Sequence, residues 1–251
     1  MIAVPYHLGR RAVEVGRGPL VIQDALKQPC VLIEGDGISD VNSKLAQAVA
    51  AHSRPALVLA GNCNSCLGTL TGLGHDPGIV WFDAHGDFNT PETSISGALE
   101  GMSLAIATGH CHPELMSRPV AEENVILAAT RSLDPHEEIR LRRSRIKLAS
   151  RDALFPEVNR LAKRVNAIYM HLDLDVLDPS ISPGVNFSEP GGISPDQLFG
   201  AVRHVMATGK LGAAAIANFN PDRDRENRTL GIIRQLIALL AADPRAYATG
   251  L

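Results

Sequence analysis

The sequence of 251 residues contains no apolar run approaching the roughly 18 residues of a membrane span, which excludes a helical membrane protein. It also lacks a charge excess of either sign. Its 24 basic and 27 acidic residues leave a formal charge of -3, so no nucleic-acid partner is indicated. The opening stretch, Met1-Ile2-Ala3-Val4-Pro5-Tyr6, has no basic region ahead of an apolar one. No secretory signal is expected, and the chain is expected in the cytoplasm. Only four cysteines are present, Cys30, Cys63, Cys66 and Cys111, and a cytoplasmic setting leaves them reduced. Cys63-Asn64-Ser65-Cys66 has CxxC spacing, and His110-Cys111-His112 could partner it in a structural zinc site or a redox pair. A single CxxC is a weak signal, however, and His-Cys-His lacks the usual finger spacing. Internal repeats and low-complexity segments are also missing.

What is present is a chain with 45% hydrophobic residues, long enough to bury one sizeable core, and it reads as a single domain over 1–251. Short apolar runs recur at 2–6, 30–35, 56–61, 78–83, 124–129, 145–150, 167–173 and 213–219. Most lack strict polar alternation, as in strands buried on both faces. Helical patterns lie between them. One spans 40–52, with Ser39 as N-cap, and another spans 152–165. A third starts at Ser194-Pro195-Asp196-Gln197, a capping-box signature, and a last one covers 225–242. Alternating strands and helices predict a parallel α/β sheet with helices on both faces. Periodicity alone leaves an open sheet and a closed barrel as alternatives.

The stretch with most chemistry is Val80-Trp81-Phe82-Asp83-Ala84-His85-Gly86-Asp87. An apolar run ends in three polar groups at alternating positions, so an extended backbone aims Asp83, His85 and Asp87 the same way. Carboxylates so close repel one another unless a cation compensates them. Asp173 and Asp175, about ninety residues on in His171-Leu172-Asp173-Leu174-Asp175, repeat the pattern. The carboxyl ends of parallel strands are where ligands collect. Carboxylates with one imidazole suit manganese or magnesium more than zinc. Five such ligands exceed the usual need of one ion, and bridging carboxylates hold ion pairs about 3.5–4 Å apart around an activated hydroxide. The irregular stretch 179–192, rich in Pro and Gly, directly follows the second Asp pair and is expected to line the site.

These segments resemble the ureohydrolase family, which includes arginase, agmatinase and formimidoylglutamase. The resemblance rests on Asp83-Ala-His85-Gly-Asp87-Phe-Asn89-Thr90-Pro91 with Ser94-Ile-Ser96-Gly97. It rests also on His171-Leu-Asp173-Leu-Asp175-Val-Leu-Asp178-Pro179 and on Val15-Gly16-Arg17-Gly18-Pro19. It spans almost the whole chain. It implies a three-layer α/β/α fold with an eight-stranded parallel sheet and a homo-oligomer, trimer or hexamer. It also implies a hydroxide held by one or two Mn2+ ions that attacks a small amidine or guanidine. Asp83, His85, Asp87, Asp173 and Asp175 are the implied ligands, and Asp87 can take the proton of the attacking water. Asn89 and Ser96 match positions that hold a substrate carboxylate, and Asp134 matches one that holds an α-amino group. Pro135 follows Asp134, so Asp134 also reads as a helix N-cap.

Three departures shape the functional expectation. Cys63, in Ala60-Gly61-Asn62-Cys63, stands where the family has a His ligand. Its thiolate is a softer donor, although a similar Cys-bearing subgroup includes an N-hydroxyarginine hydrolase. Glu100 stands where arginase-like enzymes have a proton-handling His, and burial could fit its carboxyl for that task. Asn218, in Ala217-Asn218-Phe219-Asn220-Pro221, replaces the Glu that grips a guanidinium, which argues against ordinary arginine as substrate. The reading is a C–N hydrolase for a modified guanidine or linear amidine. The alternative is a family member that keeps metal but serves as a binding or regulatory subunit.

Overall fold

The computed structural model describes residues 1–53, 55–116 and 118–242. In chain order the strands are β1 (Ile2–Val4), β2 (Tyr6–His7), β3 (Arg10–Arg11), β4 (Val31–Leu32) and β5 (Ala56–Ala60). They continue as β6 (Pro77–Phe82), β7 (Val125–Ala128), β8 (Lys147–Ala149), β9 (Ala167–Asp173) and β10 (Leu211–Ala217). The helices are α1 (Gly18–Leu26), α2 (Ile38–Ala51), α3 (Ser65–Leu73), α4 (Ser103–Ala107), α5 (Pro135–Arg143), α6 (Arg151–Ala162), α7 (Pro195–Ala207) and α8 (Arg228–Ala241). Eight strands form one parallel sheet in the order β4-β1-β5-β10-β9-β6-β7-β8, and β2 pairs with β3 as a small antiparallel hairpin. The sheet is open, with β4 and β8 as its edges, which decides between the two topologies that periodicity leaves standing.

The strand alternation builds two cores. Ile79, Trp81 and Tyr169 face α2 and α3, where Val41, Leu45, Leu67 and Leu70 cover them. Val80, Phe82, Met170 and Leu172 face the opposite layer of Ile22, Val158, Leu198, Val202 and Leu236 from α1, α6, α7 and α8. Residues one apart thus leave the sheet on opposite sides, and the result is a three-layer α/β/α sandwich. The central strands β6 and β9 are buried throughout. The edge strands depart from the expectation of burial on both faces, since Val31, Leu32 and Leu148 are exposed.

Local signals explain some helix starts. At α7, Ser194 Oγ accepts from the Gln197 backbone N–H (3.3 Å) and Gln197 Oε1 accepts from the Ser194 N–H (2.9 Å), the reciprocal pair the sequence predicts. The start of α2 is a correction. Gly37 is the N-cap, Ser39 already lies inside the helix, and Asp40 Oδ2 accepts the Asp36 N–H at 3.0 Å. The helix over 152–165 ends at Ala162, and the one over 225–242 begins at Arg228, where the Asp224 carboxylate accepts the N–H groups of Thr229 and Leu230. Helix α3 carries no periodic signal because its positions, apart from Thr71 and Gly72, are buried, so it has no polar face.

Candidate metal centre

Four neighbouring strands, in the order β5, β10, β9 and β6, end side by side. Ala217 of β10 pairs with Asp173 of β9, and Phe82 of β6 pairs with Leu172 of β9. The residues that follow these ends therefore converge. Cys63 follows β5, Asn218 follows β10, Asp173 closes β9 and Asp83 follows β6. Together they floor a cleft of about 220 Å³. Val185, Asn186 and Phe187 wall it, from the loop expected to line the site.

Two groups of donor atoms gather there. One atom each from Cys63, Asp83, His171 and Asp173 lie within 4.8 Å of one another. So do atoms of Asp83, His85 and Asp175, which makes Asp83 common to both groups. Backbone and side-chain donors fix the carboxylates. Trp81 Nε1 donates to Asp83 Oδ2 (3.1 Å), and the His85 N–H donates to Asp83 Oδ1 (2.7 Å). The Asp175 N–H donates to Asp173 Oδ1 (2.9 Å), and the Ala84 N–H donates to Asp175 Oδ1 (3.0 Å). His85 Nδ1 lies 3.0 Å from Asp175 Oδ2 and 3.4 Å from Asp83 Oδ1. Asp87 lies in the same cleft with a left-handed backbone (φ 48°), and its Oδ2 is buried without a hydrogen-bond partner among the described residues.

The electrostatics call for a cation. Burial, and then the charge of Asp173, raises the Asp83 carboxyl above the usual range. Burial and Asp175 do the same to Asp173, and burial and Asp83 to Asp87. Asp175 is pushed to about 6, first by burial and then by Asp83. Burial opposes the charge on His85, but its contacts with Asp175 and Asp83 outweigh that and raise it to about 12. Burial, then Asp87, raises the Cys63 thiol. Four buried carboxylates around a thiol and two orphaned polar atoms, Asp87 Oδ2 and His171 Nε2, fit a divalent metal centre.

The remaining predicted residues also line the cleft: Asn89, Ser96, Glu100, Asp134 and Asn218. Asp134 serves as the expected cap. It is the N-cap of α5, where Glu137 Oε2 accepts its N–H (3.1 Å), and its Oδ2 accepts from Asn89 Nδ2 (2.9 Å). Glu100 Oε2 lies 3.5 Å from His7 Nδ1, and burial raises its carboxyl. Asn218, at φ 64°, donates Nδ2 to Cys63 Sγ (3.1 Å) and to Asp173 Oδ2. The CxxC alternative does not form a unit. Cys63 donates its Sγ–H to Asp173 Oδ2 (3.4 Å), whereas Cys66 points to the Ser103 carbonyl (3.8 Å).

Sequence reasoning left two groups unassigned. His171 stands two residues before Asp173, so the alternation that groups 83, 85 and 87 also groups 171 and 173 on one side of β9. Burial holds its imidazole neutral, pushing it down to about 3. Arg131 stands three residues before Asp134, and its guanidinium turns to backbone carbonyls. It bonds those of Asp175 and Glu189 (both 2.8 Å), Pro190 (3.1 Å), Ala129 (3.2 Å) and Val176 (3.3 Å).

Residues 10–242 match the model of the arginase family. The chain belongs to that family. An arginase of Bacillus caldovelox is 34% identical over 227 residues, covering 81% of this chain and 75% of the relative. An arginase of Bacillus subtilis (strain 168) is 33% identical over 211 residues, covering 75% and 70%. A crystal structure of arginase from Bacillus subtilis superposes with a TM-score of 0.84 at 30% identity, over 97% of this chain and 99% of that one. This arginase-family protein is thus a metal-dependent hydrolase of the ureohydrolase type, acting on C–N bonds, from a family that uses binuclear metal sites. Among the described residues no helix is long and apolar enough to cross a membrane.

Proposed function

We propose that this arginase-family chain hydrolyses a C–N bond of a small linear amidine or modified guanidine, of the N-hydroxyarginine kind, in preference to arginine. The observation that carries this reading is Asn218. Its Nδ2 is committed to Cys63 Sγ and Asp173 Oδ2, so only the neutral Oδ1 is free to meet a substrate. A neutral acceptor gives a guanidinium cation no ion pair. An N-hydroxyguanidine or a formimidoyl group is less basic than a guanidine and depends less on one.

Asp83, His85 and Asp175 would hold one divalent ion, with manganese suited to so oxygen-rich a set, and Cys63 and Asp173 would hold a second next to the shared Asp83. When bound, such a pair makes water nucleophilic at neutral pH. The protein's own groups do the rest. Asp87 Oδ2, buried and unpartnered among the described residues, accepts the proton of the attacking water. Glu100, whose burial favours the protonated carboxyl, delivers a proton to the departing amine, with His7 Nδ1 3.5 Å from its Oε2. Asn89 and Ser96 take a carboxylate tail, and Asp134 an amino group.

Steady-state kcat/KM for N-hydroxyarginine, a formimidoyl amino acid and arginine tests the proposal. N-hydroxyarginine or the formimidoyl compound should be preferred, and the paired variant Cys63→His with Asn218→Glu should raise kcat/KM for arginine above that of Cys63→His alone. A restored charged hydrogen bond is worth about 1.5–3 kcal/mol, which corresponds to about 10- to 100-fold. Wild-type preference for arginine would overturn the proposal. A metal-loaded chain that turns over none of these compounds would favour the regulatory-subunit reading instead.

A further inference from the structure

The family's imidazole is missing at position 63, but an imidazole is not missing from the site. His171 is fully buried, and its ring stacks on Trp81 at a centroid distance of 3.7 Å and an interplanar angle of 15°. Its Nδ1 lies 2.9 Å from the Tyr169 hydroxyl. Its Nε2 has no hydrogen-bond partner among the described residues. A buried polar atom left unmatched is costly and calls for an explanation. The explanation lies beside it, because a His171 ring nitrogen sits within 4.8 Å of Cys63 Sγ and of one oxygen each of Asp83 and Asp173.

The surroundings suit a ligand. When Nδ1–H donates to the Tyr169 oxygen, Nε2 carries the lone pair, and a metal-binding His ordinarily gives its other N–H to just such an oxygen. Trp81 holds both partners at once. Its ring face packs the imidazole, and its Nε1–H holds Asp83 Oδ2 at 3.1 Å. The alternation of β9 sends the side chains of Tyr169, His171 and Asp173 to one side of the strand.

We propose that His171 Nε2 is a metal ligand that replaces the imidazole absent at Cys63. It completes a sulfur, nitrogen and two-oxygen set with Cys63, Asp83 and Asp173. The inference rests on the reading of this cleft as a metal centre and deepens it. Its chemical consequence is a pair of unlike sites. Thiolate and imidazole favour a borderline ion of the zinc or cobalt type, whereas the Asp83, His85 and Asp175 group retains the harder character suited to manganese. Donor type, more than general affinity, then decides which ion goes where.

The test loads metal-stripped protein with one equivalent of Zn2+ and records zinc-edge X-ray absorption, which resolves sulfur from imidazole scattering. Wild type should show one sulfur and one imidazole. His171→Ala should lose the imidazole, keep the sulfur and bind Zn2+ at least about 10- to 100-fold more weakly, taking the loss typical of outer-shell partners as the floor. His85→Ala should leave the sulfur and imidazole signature unchanged, which keeps the proposal testable if the His171 variant fails to fold. Sulfur without imidazole in wild type, or an imidazole lost in His85→Ala and kept in His171→Ala, overturns the assignment while leaving the metal centre in place. A wild-type chain that binds neither Zn2+ nor Mn2+ overturns the metal-centre reading itself.

Discussion

Arg131→Met should weaken both the fold and the metal site, because one guanidinium fastens the two segments that carry Asp175 and the cleft wall. Its Nη2 donates to the Asp175 and Glu189 carbonyls, Nη1 to those of Ala129 and Val176, and Nε to that of Pro190. All the donors of an arginine are thereby used. The two 2.8 Å bonds are charge-assisted, a class worth about 1.5–3 kcal/mol each. The site is only partly buried, so water can reach some of the freed carbonyls, and the net loss should be about 2–4 kcal/mol. For a chain of this length that lowers Tm by roughly 4–16 °C. Urea denaturation with a global fit gives the free energy, and titration of stripped protein with Mn2+ gives the effect on the site. Release of the Asp175 backbone should weaken Mn2+ by about 10-fold, in the range for partners that orient metal ligands. Arg131→Lys should recover little, since one ammonium cannot span acceptors on three segments. A loss below about 1 kcal/mol in Arg131→Met, with Mn2+ affinity unchanged, would refute the reasoning.

Two further predictions concern the apo protein and the approach of the chain to Cys63. Folding raises the Asp175 carboxyl from 3.8 to about 6, so its contribution is present in full at low pH and is lost as pH rises through about 6. Metal-free protein should therefore lose about 3 kcal/mol in urea melts between pH 4 and pH 7 from this group. His85, raised from 6.5 to about 12, adds a loss of the same sign above neutrality, while bound Mn2+ should flatten or reverse the trend. Metal-free stability that rises from pH 4 to pH 7 would contradict this. Gly61→Ala should cost about 1–3 kcal/mol and loosen zinc binding, because a Cβ there would strike the Tyr6 carbonyl and crowd Gly16. Calorimetry showing an unchanged Tm would count against so close a packing.

The sheet was legible because its strands are short apolar runs with breakers between them, and each of the eight runs became a strand. The ligand-bearing segments were legible for a related reason. Asp83, His85, Asp87, Asp173 and Asp175 sit at alternating positions, and a strand end converts that spacing into a shared direction. Helix α3 was not legible, since burial on nearly every side removes the polar face that periodicity detects. The role of Arg131 was hidden too. Its acceptors are main-chain carbonyls as many as 59 residues away, and no side-chain pattern marks a carbonyl.

Asn218 shows where spacing stops being informative. Position 218 follows the last residue of β10, and the Ala217–Asp173 pairing brings it beside β9. Extended backbone would continue the alternation past that point, but φ is 64° there, a left-handed conformation that asparagine tolerates better than most residues. The amide then meets Cys63 Sγ and Asp173 Oδ2. A glutamate at the same place could donate to neither, and its charge would add to four carboxylates already short of compensation. Cys63 and Asn218 therefore read as one change. A donating amide suits a sulfur acceptor and a carboxylate that share its partner atoms, so altering either residue alone should disturb the other, and the paired substitution Cys63→His with Asn218→Glu should be better tolerated than Asn218→Glu by itself.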